Sequence, residues 1–330
     1  IVMCSAATAA GGSLLVGGRA RWLAWGALLA MLVVGFATVD YDYYAYPVAI
    51  RSERNLLQGE VMVPGRDADA TYPGVLLVHD QGQQDRDATW GVNRPFREMA
   101  EHLVLNGYVA LRYDKRGAGA SSGVFTQYGL QDFALDVVSA GEVLAKQRAV
   151  GGQPIYAVGH GYGGQAATIA ASEQPDLFSG LVLLSTPASP APNLLRNQHE
   201  YSMAAMGTSP EVIGDNLSAV DDWIEGVLNR RYLNYGDYFG SRGISEELQA
   251  EQLVTPLPPA WVRQATEHDQ RSALAALPLP VLVVGTEADW RVTPTEARAL
   301  ADALEEGGRS DWELIQIPGV NHQLVVVEDL

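Results

Sequence analysis

Short apolar runs without alternation recur along the chain at Val75–Val78, Tyr108–Tyr113, Ile155–Val158, Leu181–Leu184, Val281–Val284 and Glu313–Ile317. Between them, near Asn93–Asn106, Leu130–Gln147, Gly163–Glu173 and Pro294–Glu305, apolar residues return every three or four positions. A strand buried on both faces has no wet side and does not alternate, whereas a helix lying on a sheet keeps one apolar stripe. The rhythm therefore predicts an α/β fold: a mainly parallel central sheet with helices on both faces. Val48–Arg51 and Gly59–Val63 precede it and add antiparallel edge strands. From Ala188 to about Leu277 the strand rhythm stops, and helical fragments rich in Asn, Glu, Tyr and Trp follow. This stretch lies between two strands of one sheet, so it reads as a helical cap inserted at about 188–277 into a single domain of residues 59–330.

The N-terminal pattern differs. Trp22–Val39 runs 18 residues without a charge, and a helix of that length spans roughly 27 Å of a ~30 Å hydrocarbon core. Residues 1–21 carry Arg19 and Arg21 and no acid, while Asp40 and Asp42 follow the apolar run. This charge bias predicts a cytoplasmic tail at 1–21, a signal-anchor helix at 22–39 and an extracytoplasmic C-terminal domain, so that the membrane is a partner. A cleaved signal peptide is the alternative, but its apolar region usually stops at about 7–15 residues. Residues 40–58 read as a linker and edge strand. Tyr41, Tyr43, Tyr44 and Tyr46 suit either an interfacial belt or that linker.

Charge and cysteine content narrow the chemistry. Lys plus Arg number 22 and Asp plus Glu 39, a net charge of -17, which repels a polyanionic backbone and argues against nucleic acid as a partner. Cys4 is the sole cysteine, so an intrachain disulfide and a thiolate metal cluster are both excluded.

In open parallel sheets the chemistry gathers where strands end. The ends here read VLLVHDQG (75–82), RYDKRGAGASSG (112–123), GHGYGG (159–164), TEADWRV (286–292) and PGVNH (318–322). As an ordered set over residues 59–330, these motifs resemble the α/β-hydrolase family, in particular its exported or membrane-anchored esterase-like and serine-aminopeptidase-like members. The resemblance implies that an elbow nucleophile attacks an acyl carbonyl, a histidine moves the proton and an acid orients the histidine. Asp289 and His322 map onto the acid and the base, and the backbone N–H groups of Gln81 and Tyr162 map onto the oxyanion hole. The implied ligand is a small-molecule ester or amide, with no cofactor and no metal.

Two positions depart from that pattern. The nucleophile position of the G-x-S-x-G elbow is Gly161, which has no hydroxyl to activate, and Asp80 stands where many members carry glycine. Loss of such a serine costs about 10⁶ in kcat and leaves roughly 10³–10⁴ over water. This chain is therefore expected to be a nearly inactive hydrolase, with Gly161→Ser expected to restore the missing oxygen. Asp289 and His322 favour this reading over a non-catalytic ligand-binding module that uses the pocket between sheet and cap, because a binder has no use for an oriented imidazole.

Other readings of the same residues are weaker. Gly159, Gly161 and Gly164 match the dinucleotide fingerprint G-x-G-x-x-G, but the acid it expects about 20 residues on is missing from LVLLSTP. Ser121, Ser122 and Ser185 are the hydroxyls nearest the strand ends, and none lies on an elbow. Asp80, Asp85 and Asp87 lack the spacing of a calcium loop and read as a solvated loop. His160 reads as a packed or hydrogen-bonded side chain and His79 as a brace for its loop. Tyr113, Asp114, Arg116 and Gly117 read as a turn network beneath the site.

Overall fold

The computed structural model of the chain describes residues 43–65, 69–231 and 258–327. Eight strands form one sheet: β1 (Tyr43–Ser52), β2 (Asn55–Pro64), β3 (Gly74–Val78), β4 (Val109–Tyr113), β5 (Ile155–His160), β6 (Gly180–Leu184), β7 (Val281–Thr286) and β8 (Trp312–Ile317). Their order is β1-β2-β4-β3-β5-β6-β7-β8. β1 with β2 and β2 with β4 pair antiparallel, and every later pair is parallel. This is the mainly parallel α/β architecture that the apolar runs predict. Successive residues of one strand enter opposite cores: Leu76 and Val78 face one, Val75 and Leu77 the other, and Val281 and Val283 separate from Leu282 and Val284 in the same way. Two-sided burial is the reason these strands do not alternate.

Helix α1 (Pro95–Leu105) covers one face with Phe96, Ala100, Leu103 and Val104. The other face is covered by α2 (Leu130–Ala145) and α3 (Tyr162–Glu173), together with α8 (Pro294–Glu306), which follows β7. Between β6 and β7 come α4 (Ala191–Ala205), α5 (Pro210–Leu228), α6 (Pro259–Glu267) and α7 (Gln270–Ala276). Packing and hydrogen bonds tie this helical stretch to the sheet layer. The Trp261 ring meets the Tyr162 ring edge-on at 4.3 Å between centroids, and Glu296 accepts the backbone N–H groups of Ala188 and Ser189 at 2.8 and 2.7 Å.

The tyrosines expected in a belt or linker are strand residues from Tyr43 onward. Tyr46 donates its hydroxyl to Gln147 at 2.9 Å and Tyr43 to Glu101 at 3.2 Å. The anchor expected at 22–39 lies outside the described residues, and no helix among the described residues is long and apolar enough to cross a membrane.

The loop after β4 is pinned by Arg116, which is fully buried and forks onto Asp136 of α2 through two 2.6 Å hydrogen bonds. Asp132 is 3.3 Å away, and the guanidinium stacks on Tyr128. Removing one partner of a buried pair leaves the other charge uncompensated and costs roughly 3–5 kcal/mol. Arg116→Leu is therefore expected to lower the unfolding free energy by about that amount, read as the shift in a urea titration.

Candidate active site

β5 turns into α3 with no spare residues. Gly161 holds φ 54° and ψ -126°, a region open to glycine and strained for other residues. Its N–H donates to the carbonyl of Leu184 at 2.9 Å. The turn is also tight: a Cβ on Gly159 would lie 2.5 Å from the backbone N of Gly164. This is the geometry of a nucleophile elbow, with the side chain missing at its tip.

The space above that tip is filled. A Cβ built on Gly161 would collide with Oδ1 and Cγ of Asp80 and would lie 3.0 Å from the Asp80 Cβ. Asp80 follows β3 and is 2% exposed, which overturns its reading as part of a solvated loop. Its carboxylate reaches both functional neighbours of the absent oxygen. Oδ1 accepts the N–H of Tyr162 at 2.9 Å, and Oδ2 lies 3.0 Å from Nε2 of His322. Lys115, also buried, donates its ammonium to the Asp80 carbonyl at 2.6 Å. The Arg291 guanidinium comes within 3.9 Å of Oδ2.

His322 hangs from the loop after β8, which a bridge between Val320 and Val326 closes. Its Nδ1 is 2.7 Å from Oδ2 of Asp289. Asp289 is held in turn by the backbone N–H groups of Arg291 and Val292 at 2.9 and 2.8 Å and by the Thr286 hydroxyl at 3.2 Å. The imidazole is thus clasped between two carboxylates, all three side chains being buried. Gln81, read as an oxyanion-hole residue, is buried directly after Asp80. The Tyr162 amide read for the same role holds the Asp80 carboxylate.

The electrostatics follow from this clasp. Burial pulls the pKa of His322 down, but hydrogen bonds to Asp289 and Asp80 and their charges outweigh it, and the net direction is up. Burial works the other way on Asp80, where the hydrogen bond and charge of His322 and then Arg291 hold the carboxyl well below the usual range. Asp289 is likewise held down against burial by His322 and the Val292 N–H. The geometry therefore supports an imidazolium that donates to both carboxylates.

The neighbouring histidines do other work. Nε2 of His160 bonds the backbone carbonyl of His322 at 2.8 Å, and the two rings lie 4.7 Å apart. Burial, then the charge of His322, lowers the His160 pKa to about 4, so it packs as a neutral ring. His79, read as a brace for its loop, has the Asp85 backbone of that loop near enough to favour its charged form, although neither ring nitrogen reaches a full hydrogen bond among the described residues. Its ring packs on Phe96 and Tyr113 at 5.3 and 5.0 Å, and burial carries its pKa down to about 3.

The serines near the strand ends are engaged elsewhere. Ser121 bonds the Asp114 carbonyl at 2.6 Å, Ser122 accepts from Leu56, and Ser185 bonds Thr286 at 2.7 Å. Asp114 pairs with Arg86 and accepts the Ala120 N–H, a turn network as read, and Gly117 donates to Ser122. Asp85 caps its own turn through Thr89, and Asp87 pairs with Arg112. No group of three or more His, Cys, Asp or Glu among the described residues could hold a metal ion. The amide that would face a dinucleotide phosphate already carries Asp80, and β6 bears no acid.

Three supporting residues were not found in the sequence: Arg291, Lys115 and Thr286. The first lies two positions from Asp289 and the last begins the same motif, so that motif marks both. Lys115 lies inside the RYDKRGAGASSG motif, but its partner is a backbone carbonyl, which a sequence pattern does not reveal.

The chain matches the family model Hydrolase_4, described as serine aminopeptidase, S33, over residues 93–329. With most of its length covered, the chain belongs to this α/β-hydrolase family. The match includes the elbow, Asp289 and His322, whereas Asp80 lies before it. Esterase EstD of Thermotoga maritima is 24% identical over 272 residues, which cover 82% of this chain and 58% of that protein. A monoglyceride lipase homologue of Monkeypox virus is 27% identical over 118 residues, 35% of this chain and 39% of its own. The chain thus spans well under two thirds of the curated relatives it matches. Among solved structures, Est1E from Butyrivibrio proteoclasticus with bound ferulic acid has a TM-score of 0.55 at 19% identity, covering 84% of this chain and 91% of that one. The esterase Pf2001 of Pyrococcus furiosus also has a TM-score of 0.55, at 17% identity with 87% of each chain covered. At these identities the likeness is one of fold.

The clasp gives stability a definite pH window. A histidine with a raised pKa stabilises fully below its ordinary value of 6.5, and the contribution is lost as pH rises through the folded value. Carboxylates with lowered pKa values stabilise above their ordinary 3.8 and lose this as pH falls. The difference in Tm between the wild type and Asp80→Asn is therefore expected to be largest between about pH 4 and 6.5 and to shrink on either side. Thermal melts across pH 3–9 check it, and a difference that keeps growing above neutrality contradicts it.

Proposed function

We propose that this esterase-like hydrolase-family protein has given up serine-mediated ester cleavage and is nearly inactive toward ordinary carboxylic esters, while keeping the proton-handling half of the machinery. The observation that carries this reading is the Asp80 carboxylate in the space of the elbow side chain, on the Tyr162 amide and the His322 ring. A serine oxygen needs both contacts, one to lose its proton and one to stabilise the oxyanion that its attack creates. With Asp80 in place neither is free. An acyl carbonyl would also have to displace a buried carboxylate from its hydrogen bonds, at the cost of desolvating and unpairing charge.

Gly161→Ser alone is therefore expected to restore nothing, because the new side chain collides with Asp80. This corrects the expectation from sequence that the serine is the one missing part. The double variant Asp80→Gly/Gly161→Ser is expected to hydrolyse short p-nitrophenyl esters at least ~10³-fold faster than the wild type, since the absent serine is worth about 10⁶. Adding His322→Ala should remove that gain. Steady-state rates of the four proteins test the reading; a Gly161→Ser variant as active as the double one contradicts it.

The location remains the one the charge pattern supports: a signal anchor at 22–39 with the N-terminus in the cytoplasm and the hydrolase domain outside. Protease added to intact cells is expected to digest the C-terminal domain, and protection there contradicts the orientation.

A further inference from the structure

We propose that Asp80 is itself the reacting group: a carboxylate nucleophile that takes over the place of the elbow serine and acts on substrates with an electrophilic sp³ carbon, small epoxides foremost and alkyl halides of the same reactivity. This goes beyond the loss of ester cleavage and does not depend on it.

Asp80 does more than fill the gap above Gly161. A plug needs only volume, and an amide or apolar side chain would supply it without burying a charge. Asp80 instead places each oxygen on a different functional partner: Oδ1 on the elbow amide of Tyr162 at 2.9 Å, Oδ2 beside Nε2 of His322 at 3.0 Å. The rest of the relay is intact, with Asp289 fixing the far side of the ring at 2.7 Å. The two departures of this chain are also reciprocal, since the side chain gained at 80 occupies the volume lost at 161. Carboxylates are established nucleophiles in covalent catalysis. Arg291, whose side chain is 20% exposed, comes within 3.9 Å of Oδ2.

The leaving group selects the substrate class. A carboxylate that attacks an ester carbonyl forms an anhydride, from which the carboxylate leaves more readily than an alkoxide, so the step reverses. Attack on an sp³ carbon expels a halide or opens a strained ring and leaves an ordinary ester on Asp80. For an epoxide the protons balance within the clasp. The Oδ2–carbon bond forms as the ring C–O bond breaks, and the ring oxygen takes the Nε2 proton of His322. Alkylation removes the negative charge on Asp80, so the ring is left neutral beside a neutral ester. His322 then takes a proton from water, and the hydroxide adds to the Asp80 Cγ. The oxyanion so formed on Oδ1 faces the Tyr162 N–H. Collapse breaks the bond from Cγ to the alkyl-bearing Oδ2, and that alkoxide leaves with the hydroxyl proton as the diol. The carboxylate and imidazolium are restored, and the sum is epoxide plus water to diol. With a halide the His322 proton goes to solvent, and the products are an alcohol, the halide and one proton.

The test uses the wild-type chain first. With styrene oxide in ¹⁸O-water under single-turnover conditions, solvent oxygen is expected on the Asp80 peptide by mass spectrometry, while the diol keeps oxygen from Asp80. With 1-iodobutane, whose displacement needs no proton from His322, His322→Gln is expected to stop at the ester, seen as a butyl adduct on the Asp80 peptide. Asp80→Asn should lose turnover to background. Absence of both label and adduct on Asp80, or label appearing directly in the first-turnover diol, overturns the proposal. The labelling arm stands even where His322→Gln does not fold. The ester rates of Asp80→Gly/Gly161→Ser are independent of either outcome, so failure here leaves the loss of serine chemistry to be judged by its own assay.

Discussion

One imidazole ring held between two buried carboxylates organises this site. His322 reaches Asp289 at 2.7 Å and Asp80 at 3.0 Å, and all three side chains are buried. In such surroundings a lone charge is costly, so each group depends on the others being ionised. The raised histidine and the lowered acids express that dependence from three sides. Asp80 is the member that sets this chain apart: it binds His322 and the Tyr162 amide together and closes the space above Gly161.

The fold delivers this arrangement by ordinary means. Strands buried on both faces bring the ends of β3, β5 and β7 to one edge, and the loop after β8 carries the histidine across to them. A tight turn then becomes possible because Gly159 lets α3 approach the strand end and Gly161 accepts a positive φ. The same glycine that removes the nucleophile makes room for a carboxylate from the neighbouring strand. Loss and gain are thus one packing event, and the backbone of the elbow is unaltered by it. Arg116, Lys115 and Thr286 keep the surrounding loops in place from beneath.

Much of this was legible in the sequence. Two-sided strands betray themselves by apolar runs, so the sheet, its helices and their order could be read directly, and β5 and β7 differ mainly in running on to His160 and Thr286. Asp289 and His322 were found through motif order behind the elbow. What escaped was the meaning of Asp80. It was noticed as a departure, yet its charge placed it with Asp85 and Asp87 in a solvated loop, because burial of a carboxylate depends on partners 82 and 242 positions away. His79 shows the converse: a polar ring read as a brace for its loop also packs on the aromatic rings of Phe96 and Tyr113, which nothing in the sequence places beside it. Pattern shows which side chains are available; three-dimensional neighbours decide whether they pair.

In this arrangement His322 is an imidazolium bonded at both nitrogens, once to each carboxylate. Proton NMR of the ¹⁵N-labelled protein near pH 6 observes this directly. Two exchange-protected, low-field ring N–H signals are expected from His322, of which the Nε2 signal alone is lost in Asp80→Gly. A single protected ring proton in the wild type, or two that survive removal of Asp80, would contradict the account.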